Sequence, residues 1–179
     1  GSEMCIRDRA FRFKTRRPRG GFVENIYVER VRANVKRQAL YCDMLGSARW
    51  VGELAQRYPA REITPLTPWF ANISIHDVEI TGCSTLVDVS ALPEKPVKNF
   101  FFGNVKAHCD RIGKICDATK FSMKDVRIES CDTVMRIDNC DYASFFGFSN
   151  VTTGSSVKIE KTGGECRYLN CLLYTSDAA

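Results

Sequence analysis

No stretch of about 18 consecutive apolar residues occurs in the 179-residue chain, which excludes a membrane-spanning helix. The first residues lack the basic-then-apolar order of a secretion signal. Asn-Gly and Asp-Gly pairs, the signals of tight hairpins, are absent, and helical periodicity is scarce. What is there is globular. A composition of 44% hydrophobic and 26% charged residues excludes a disordered tail or a collagen-like rod. The formal charge of +5 mildly favours acidic partners. Twelve of the 26 lysines and arginines lie between Arg7 and Arg49, against five acidic residues before Trp50. An anionic ligand is therefore sought in the N-terminal part.

Both ends read as foreign sequence. Met4-Cys5-Ile6-Arg7-Asp8, within residues 1–9, resembles the translation of a transposon-end sequencing adapter. Residues 171–179, Cys171-Leu172-Leu173-Tyr174-Thr175-Ser176-Asp177-Ala178-Ala179, are similar to the reverse complement of the same element. Such tails are set aside in reasoning about fold. Residues 10–170 are then expected to be an internal piece of a longer gene. Without Arg7, Arg9, Glu3, Asp8 and Asp177 the piece holds 24 basic and 18 acidic residues, a net charge of +6. Seven of nine cysteines stay, an odd number at irregular spacing that does not read as a disulfide framework.

A repeat runs through the middle. Asn25-Ile26-Tyr27-Val28-Glu29-Arg30-Val31 aligns with Asn72-Ile73-Ser74-Ile75-His76-Asp77-Val78, and next with Asn99-Phe100-Phe101-Phe102-Gly103-Asn104-Val105. Lys120 to Val126 is a fourth copy and Ser144 to Val151 a looser fifth, so the closing valines are 47, 27, 21 and 25 residues apart. Within a copy, apolar and polar residues alternate, as in Ile73, Ile75, then Val78, Ile80. Period two is the strand signal, and the break before Val78 marks a bend between two short strands. A third strand follows in Leu86–Val89, Ile112–Ile115 and Val134–Ile137. Three short strands per copy predict an all-β chain, a right-handed parallel β-helix of about five coils. Such coils stack at ~4.8 Å, and none buries its inward side chains alone. An antiparallel sandwich is the competing architecture. The long first interval predicts an inserted loop over residues 46–69, with Trp50, Tyr58 and Trp69, whose aromatics either stack on sugar rings or pack the loop down.

Arg12-Phe13-Lys14-Thr15, followed by Arg19-Gly20-Gly21-Phe22-Val23-Glu24-Asn25-Ile26, resembles the polygalacturonases of glycoside hydrolase family 28. Their Arg-Ile-Lys motif precedes Arg-Gly-Gly and a strand beginning Val-Glu-Asn-Ile in many bacterial members; Phe13 stands where that family has Ile. Thr67-Pro68-Trp69-Phe70-Ala71-Asn72-Ile73 and Leu92-Pro93-Glu94-Lys95-Pro96-Val97-Lys98-Asn99 are similar to its later coils. The resemblance extends from Ala10 to about Val126. It implies a secreted or periplasmic pectin-degrading glycosidase acting on galacturonic-acid linkages by inversion. The implied partner is an acidic polysaccharide, with no nucleic acid, membrane or cofactor, and the full-length protein is expected to be a monomer. Arg12 and Lys14 would hold the galacturonate carboxylate. Their chemistry suits this independently: i and i+2 share a strand face, and a planar fork beside a movable ammonium matches a carboxylate. The bland alternative is a solvated basic run, since Arg16, Arg17 and Arg19 follow.

No catalytic residue is expected in this piece. The family's acid and base aspartates sit in Asn-Thr-Asp, Asp-Asp and Gly-His-Gly motifs upstream of Arg-Ile-Lys, and none occurs between Ala10 and Asn170. The tyrosine that many fungal members place downstream has no clear counterpart: Gln38 lies near its position, and Tyr41 is read as interior. A non-catalytic β-helix, such as an adhesin or fibre segment, is the alternative, with a calcium-dependent polysaccharide lyase third. No metal site is expected: His108, Cys109, Cys116 and Cys131 are conceivable zinc ligands. However, Cys83, Cys109 and Cys131 fit better as small apolar residues stacked at equivalent positions. His76 reads as a surface residue.

Overall fold

The computed structural model describes residues 8–172, so most of each adapter-like tail lies outside the described residues. The chain is mostly β, and its strands form one mixed, largely parallel sheet. In order these are β1 (Phe11–Lys14), β2 (Phe22–Asn34), β3 (Gln38–Asp43), the one-turn helix α1 (Ala48–Val51), β4 (Trp69–Ser90), β5 (Val97–Glu129) and β6 (Val134–Asp141). Then come β7 (Ser144–Asn150), β8 (Ser155–Ser156), β9 (Lys158–Lys161) and β10 (Asn170–Leu172).

Among the described residues every pairing but two is parallel. β2 and β3 pair with β4 at an offset of 47 residues (Val31↔Val78, Leu40↔Val87). β4 pairs with β5 mostly at 27 (Val78↔Val105), and β5 with β6 and β7 at 22 (Ile115↔Ile137, Val126↔Phe148). The exceptions are the short β7–β8 pair and a bridge between Leu92 and Lys95. The antiparallel sandwich is thereby excluded. The alternation read in the sequence carries directly into burial. Ile73, Ile75, Val78 and Ile80 are buried, as are Phe100, Phe102 and Val105 in the next row and Phe121, Met123 and Val126 after it. The rings of Phe100 and Phe121 stack at 5.0 Å and 9°. Each such side chain contributes about 1.5–3 kcal/mol by leaving water.

The bends expected before the repeat's valines are single residues in the left-handed region. Arg30, Asp77, Asn104 and Asp125 all have φ between 47° and 57°. A second set at the start of the repeats, Asn25, Asn72, Asn99 and Lys120, has φ between 53° and 58°. Asparagine tolerates that conformation because its short polar side chain bonds locally. Here the amides also bond one another: Asn99 donates to Asn72 (2.8 Å) and Asn72 to Asn25 (3.2 Å).

Two details depart from the sequence reading. Val126 faces Phe148, not Val151, which is exposed at the surface. The left-handed residue of that row is Gly147 (φ 61°), so the bend comes three residues before the Asn-Val pair. Cys83 and Cys109 do stack as buried register partners, but Cys131 is exposed and its neighbour Ser130 turns inward instead. β2 is only half-buried. It pairs with β4 alone among the described strands, and Val23, Ile26, Val28 and Val31 are partly covered.

Candidate functional site

β1 carries the two residues that the sequence singles out. It pairs with β3 so that Arg12 lies beside Tyr41 and Lys14 beside Asp43. Phe11 is buried, and the half-buried Phe13 packs against the rings of Phe70 (6.1 Å) and Phe100 (6.3 Å). With these two rings turned inward, the pleat sends Arg12 and Lys14 outward. Both are exposed, and together with Thr15, Arg16 and Arg19 they line an open depression of about 330 Å³.

Its electrostatics are one-sided. Four cations converge, and the nearest carboxylate, Asp43, is already engaged. One Asp43 oxygen accepts from the backbone N–H groups of Leu45 (3.1 Å) and Gly46 (3.0 Å). The other accepts the Tyr41 hydroxyl (3.2 Å) and sits 3.7 Å from the Lys14 ammonium. Among the described residues no ion pair engages Arg12, Arg16 or Arg19. Tyr41 faces outward rather than inward, because Leu40 and Cys42 on either side take the interior. Burial, and then the Asp43 carboxylate, raise its phenol above the usual range, and the Arg9 guanidinium lies 4.3 Å from its ring centre.

Arg17 behaves unlike the rest of the basic run. It is buried, and its fork meets Glu94 at 2.6 and 2.7 Å while also donating to the carbonyls of Leu54 (3.0 Å) and Gln56 (2.7 Å). Burial pushes the Glu94 carboxyl up, but Arg17 outweighs it and holds the pKa below normal. A second guanidinium fastens the same loop. Arg57 bonds Asp117 at 2.6 and 2.9 Å and Asp138 at 2.8 Å, and Asn139 donates to Asp117 as well (2.6 Å). Residues 46–69 are thus fastened by the ion pairs of Arg57 and by the bonds of Arg17 to loop carbonyls, while Trp50 and Tyr58 remain exposed. Sequence reasoning missed both arginines, and nothing in their local spacing distinguishes them from solvated ones.

Two further clusters carry less. Glu29, His76 and Asp77 hold ligand atoms within 4.8 Å of one another. However, Asp77 meets the His76 Nδ1 (2.8 Å) while the Tyr27 hydroxyl meets Nε2 (2.6 Å) and donates to Glu29 (3.3 Å). The four side chains thus form a hydrogen-bonded chain, Asp77 to His76 to Tyr27 to Glu29. Nor do the conceivable zinc ligands meet, since Cys109 points inward while His108 lies exposed beside Glu129 (3.4 Å).

No family model, curated protein or solved structure matches the chain.

Proposed function

We propose that the chain is part of a right-handed parallel β-helix from a pectin-degrading glycosidase of the polygalacturonase type, and that its own share of the work is to hold galacturonate. Support for the winding comes from the run of parallel pairings at offsets of 22–47 residues and from left-handed bends that recur in the same register. Support for the ligand comes from one observation above all. Arg12 and Lys14 project together into a depression beside Asp43, whose carboxylate is occupied by backbone and phenol donors.

In this reading the Arg12 fork takes both oxygens of a uronate and Lys14 adds a movable charge, while the Asp43 contact steadies the ammonium. A charge-assisted hydrogen bond of this kind contributes about 1.5–3 kcal/mol. Inverting hydrolysis needs a carboxyl pair some ~6.5–9.5 Å apart, one protonating the leaving oxygen and one activating water. Asp43 does not qualify, because its oxygens accept structural hydrogen bonds. The chain therefore binds and orients rather than transfers protons. That same feature also suits the second reading, a non-catalytic β-helical surface segment. The site of action follows from the pectic substrate, outside the cytoplasm or in the periplasm.

Arg12→Ala is expected to weaken binding of an oligogalacturonate by about 10- to 150-fold and to leave binding of a neutral galactan oligosaccharide unchanged, as read by titration calorimetry. Equal losses on both ligands would remove the carboxylate role.

A further inference from the structure

The basic depression is not the only one on its face. Strand register places Arg12 beside Tyr41, Tyr41 beside Asp88, Asp88 beside Lys114, and Lys114 beside Arg136. These five positions form one outward line across the stacked rows. Lys114 and Arg136 line a second depression, of about 260 Å³, together with Arg111. From Arg12 to Lys114 is three row spacings, or ~14 Å at the usual inter-strand distance. A few linked pyranose rings span that gap.

We propose that Arg111 and Lys114 form a second carboxylate-binding station, so that one acidic polysaccharide chain lies along the stacking direction and touches both depressions. The proposal rests on the uronate reading above and adds to it a direction and a minimum ligand length.

Three observations carry it. Arg111 and Lys114 are exposed, and no ion pair engages either among the described residues. Arg136 has a partner, Glu160, at 3.7 Å, so it is the less available cation. The acidic neighbour Asp132 is turned to the backbone, accepting from the N–H groups of Ile112 (3.0 Å) and Val134 (3.2 Å). The second station resembles the first: in each, cations that no ion pair engages among the described residues stand beside one that is paired, Lys14 with Asp43 and Arg136 with Glu160, and one aspartate holds a turn. Asp88, half-buried, also lines the second depression, on the side towards the first. Burial raises its carboxyl pKa, and Lys114 pulls it back. When ionised it faces the passing polymer with like charge.

Two stations joined by one ligand act by effective concentration. Once the first carboxylate is held, the second binds intramolecularly, and affinity climbs with ligand length. A trigalacturonate engages one station; a hexagalacturonate reaches both.

The test is titration of the full chain with these two oligomers. In the wild type the hexamer is expected to bind at least tenfold more tightly than the trimer. The double variant Arg111→Ala/Lys114→Ala should abolish that ratio while leaving trimer affinity and the circular dichroism spectrum unchanged. Asp88→Asn should strengthen hexamer binding. Arg12→Ala should weaken both oligomers. If the double variant keeps the full hexamer advantage, the second station is wrong, and the uronate reading stands provided Arg12→Ala still discriminates. If the wild type binds neither oligomer, both fail together.

Discussion

Gly113→Ala is expected to lower the thermal midpoint by about 10 °C or more, or to prevent cooperative folding outright. Gly113 sits in the stacked rows between Val87 and Met135. Its φ is +105°, and a Cβ there would fall 1.9 Å from the Val87 carbonyl oxygen and 2.8 Å from the Thr85 side chain. The oxygen belongs to the backbone of the neighbouring row, which cannot step aside without breaking the parallel ladder. Forcing a side chain into a packed region costs about 1–3 kcal/mol or more, and a left-handed conformation at a non-glycine residue adds about 1–3. Against a total stability of about 5–15 kcal/mol, the sum is a large fraction. Thermal unfolding followed by circular dichroism measures it. An unchanged midpoint would mean that rows 87 and 113 are not neighbours.

Arg57→Ala should cost about 3–5 kcal/mol, the usual loss when one partner of a buried ion pair is removed. The remaining Asp117 side chain is fully buried and Asp138 is partly buried, and Asn139 alone would still serve Asp117. Residues 46–69 would then lose their side-chain ion pairs to the sheet and keep the bonds from Arg17 to the carbonyls of Leu54 and Gln56. Limited proteolysis should cut this loop in the variant well before the wild type, and Arg57→Lys should rescue only partly, because an ammonium cannot form the fork. The clamp also sets a pH dependence. Hydrogen bonding to Arg57 holds the Asp138 carboxyl below its usual 3.8. A carboxyl whose pKa is lowered by folding stabilises the protein fully above its unfolded value and loses that contribution as pH falls through the folded one. Loop release in the wild type is therefore expected only below about pH 4. Equal protease sensitivity of variant and wild type would show that the ion pairs do not hold the loop.

Much of this architecture was legible where local pattern and packing agree. Alternation in Ile73, Ile75, Val78 and Ile80 announces an inward face, and Val31, Val78 and Val105 do fall in one register column. The same signal failed at the last repeat. There the sequence shows an Asn-Val pair at Asn150-Val151, but Gly147 takes the bend at no steric cost and Phe148 fills the interior. Pattern matching favoured the familiar residues, and backbone freedom decided otherwise. Arg12 and Lys14 were legible as a same-face pair because strand parity alone determines that. Arg17 and Arg57 were not: their partners lie 77 and 60 residues away, and a single sequence does not encode which of several arginines turns inward. Tyr41, expected inside, faces outward because its own neighbours, Leu40 and Cys42, take the core.

The central claim is that stacked parallel rows present cations in line to the carboxylates of an acidic polysaccharide. Calorimetric titration with polygalacturonate and with its fully methyl-esterified form isolates that claim, since the two ligands share a backbone and differ in charge. Binding of the acidic form, weakened by added salt and lost on esterification, is the expected result. Equal binding of the two forms, or none of the acidic one, would contradict it.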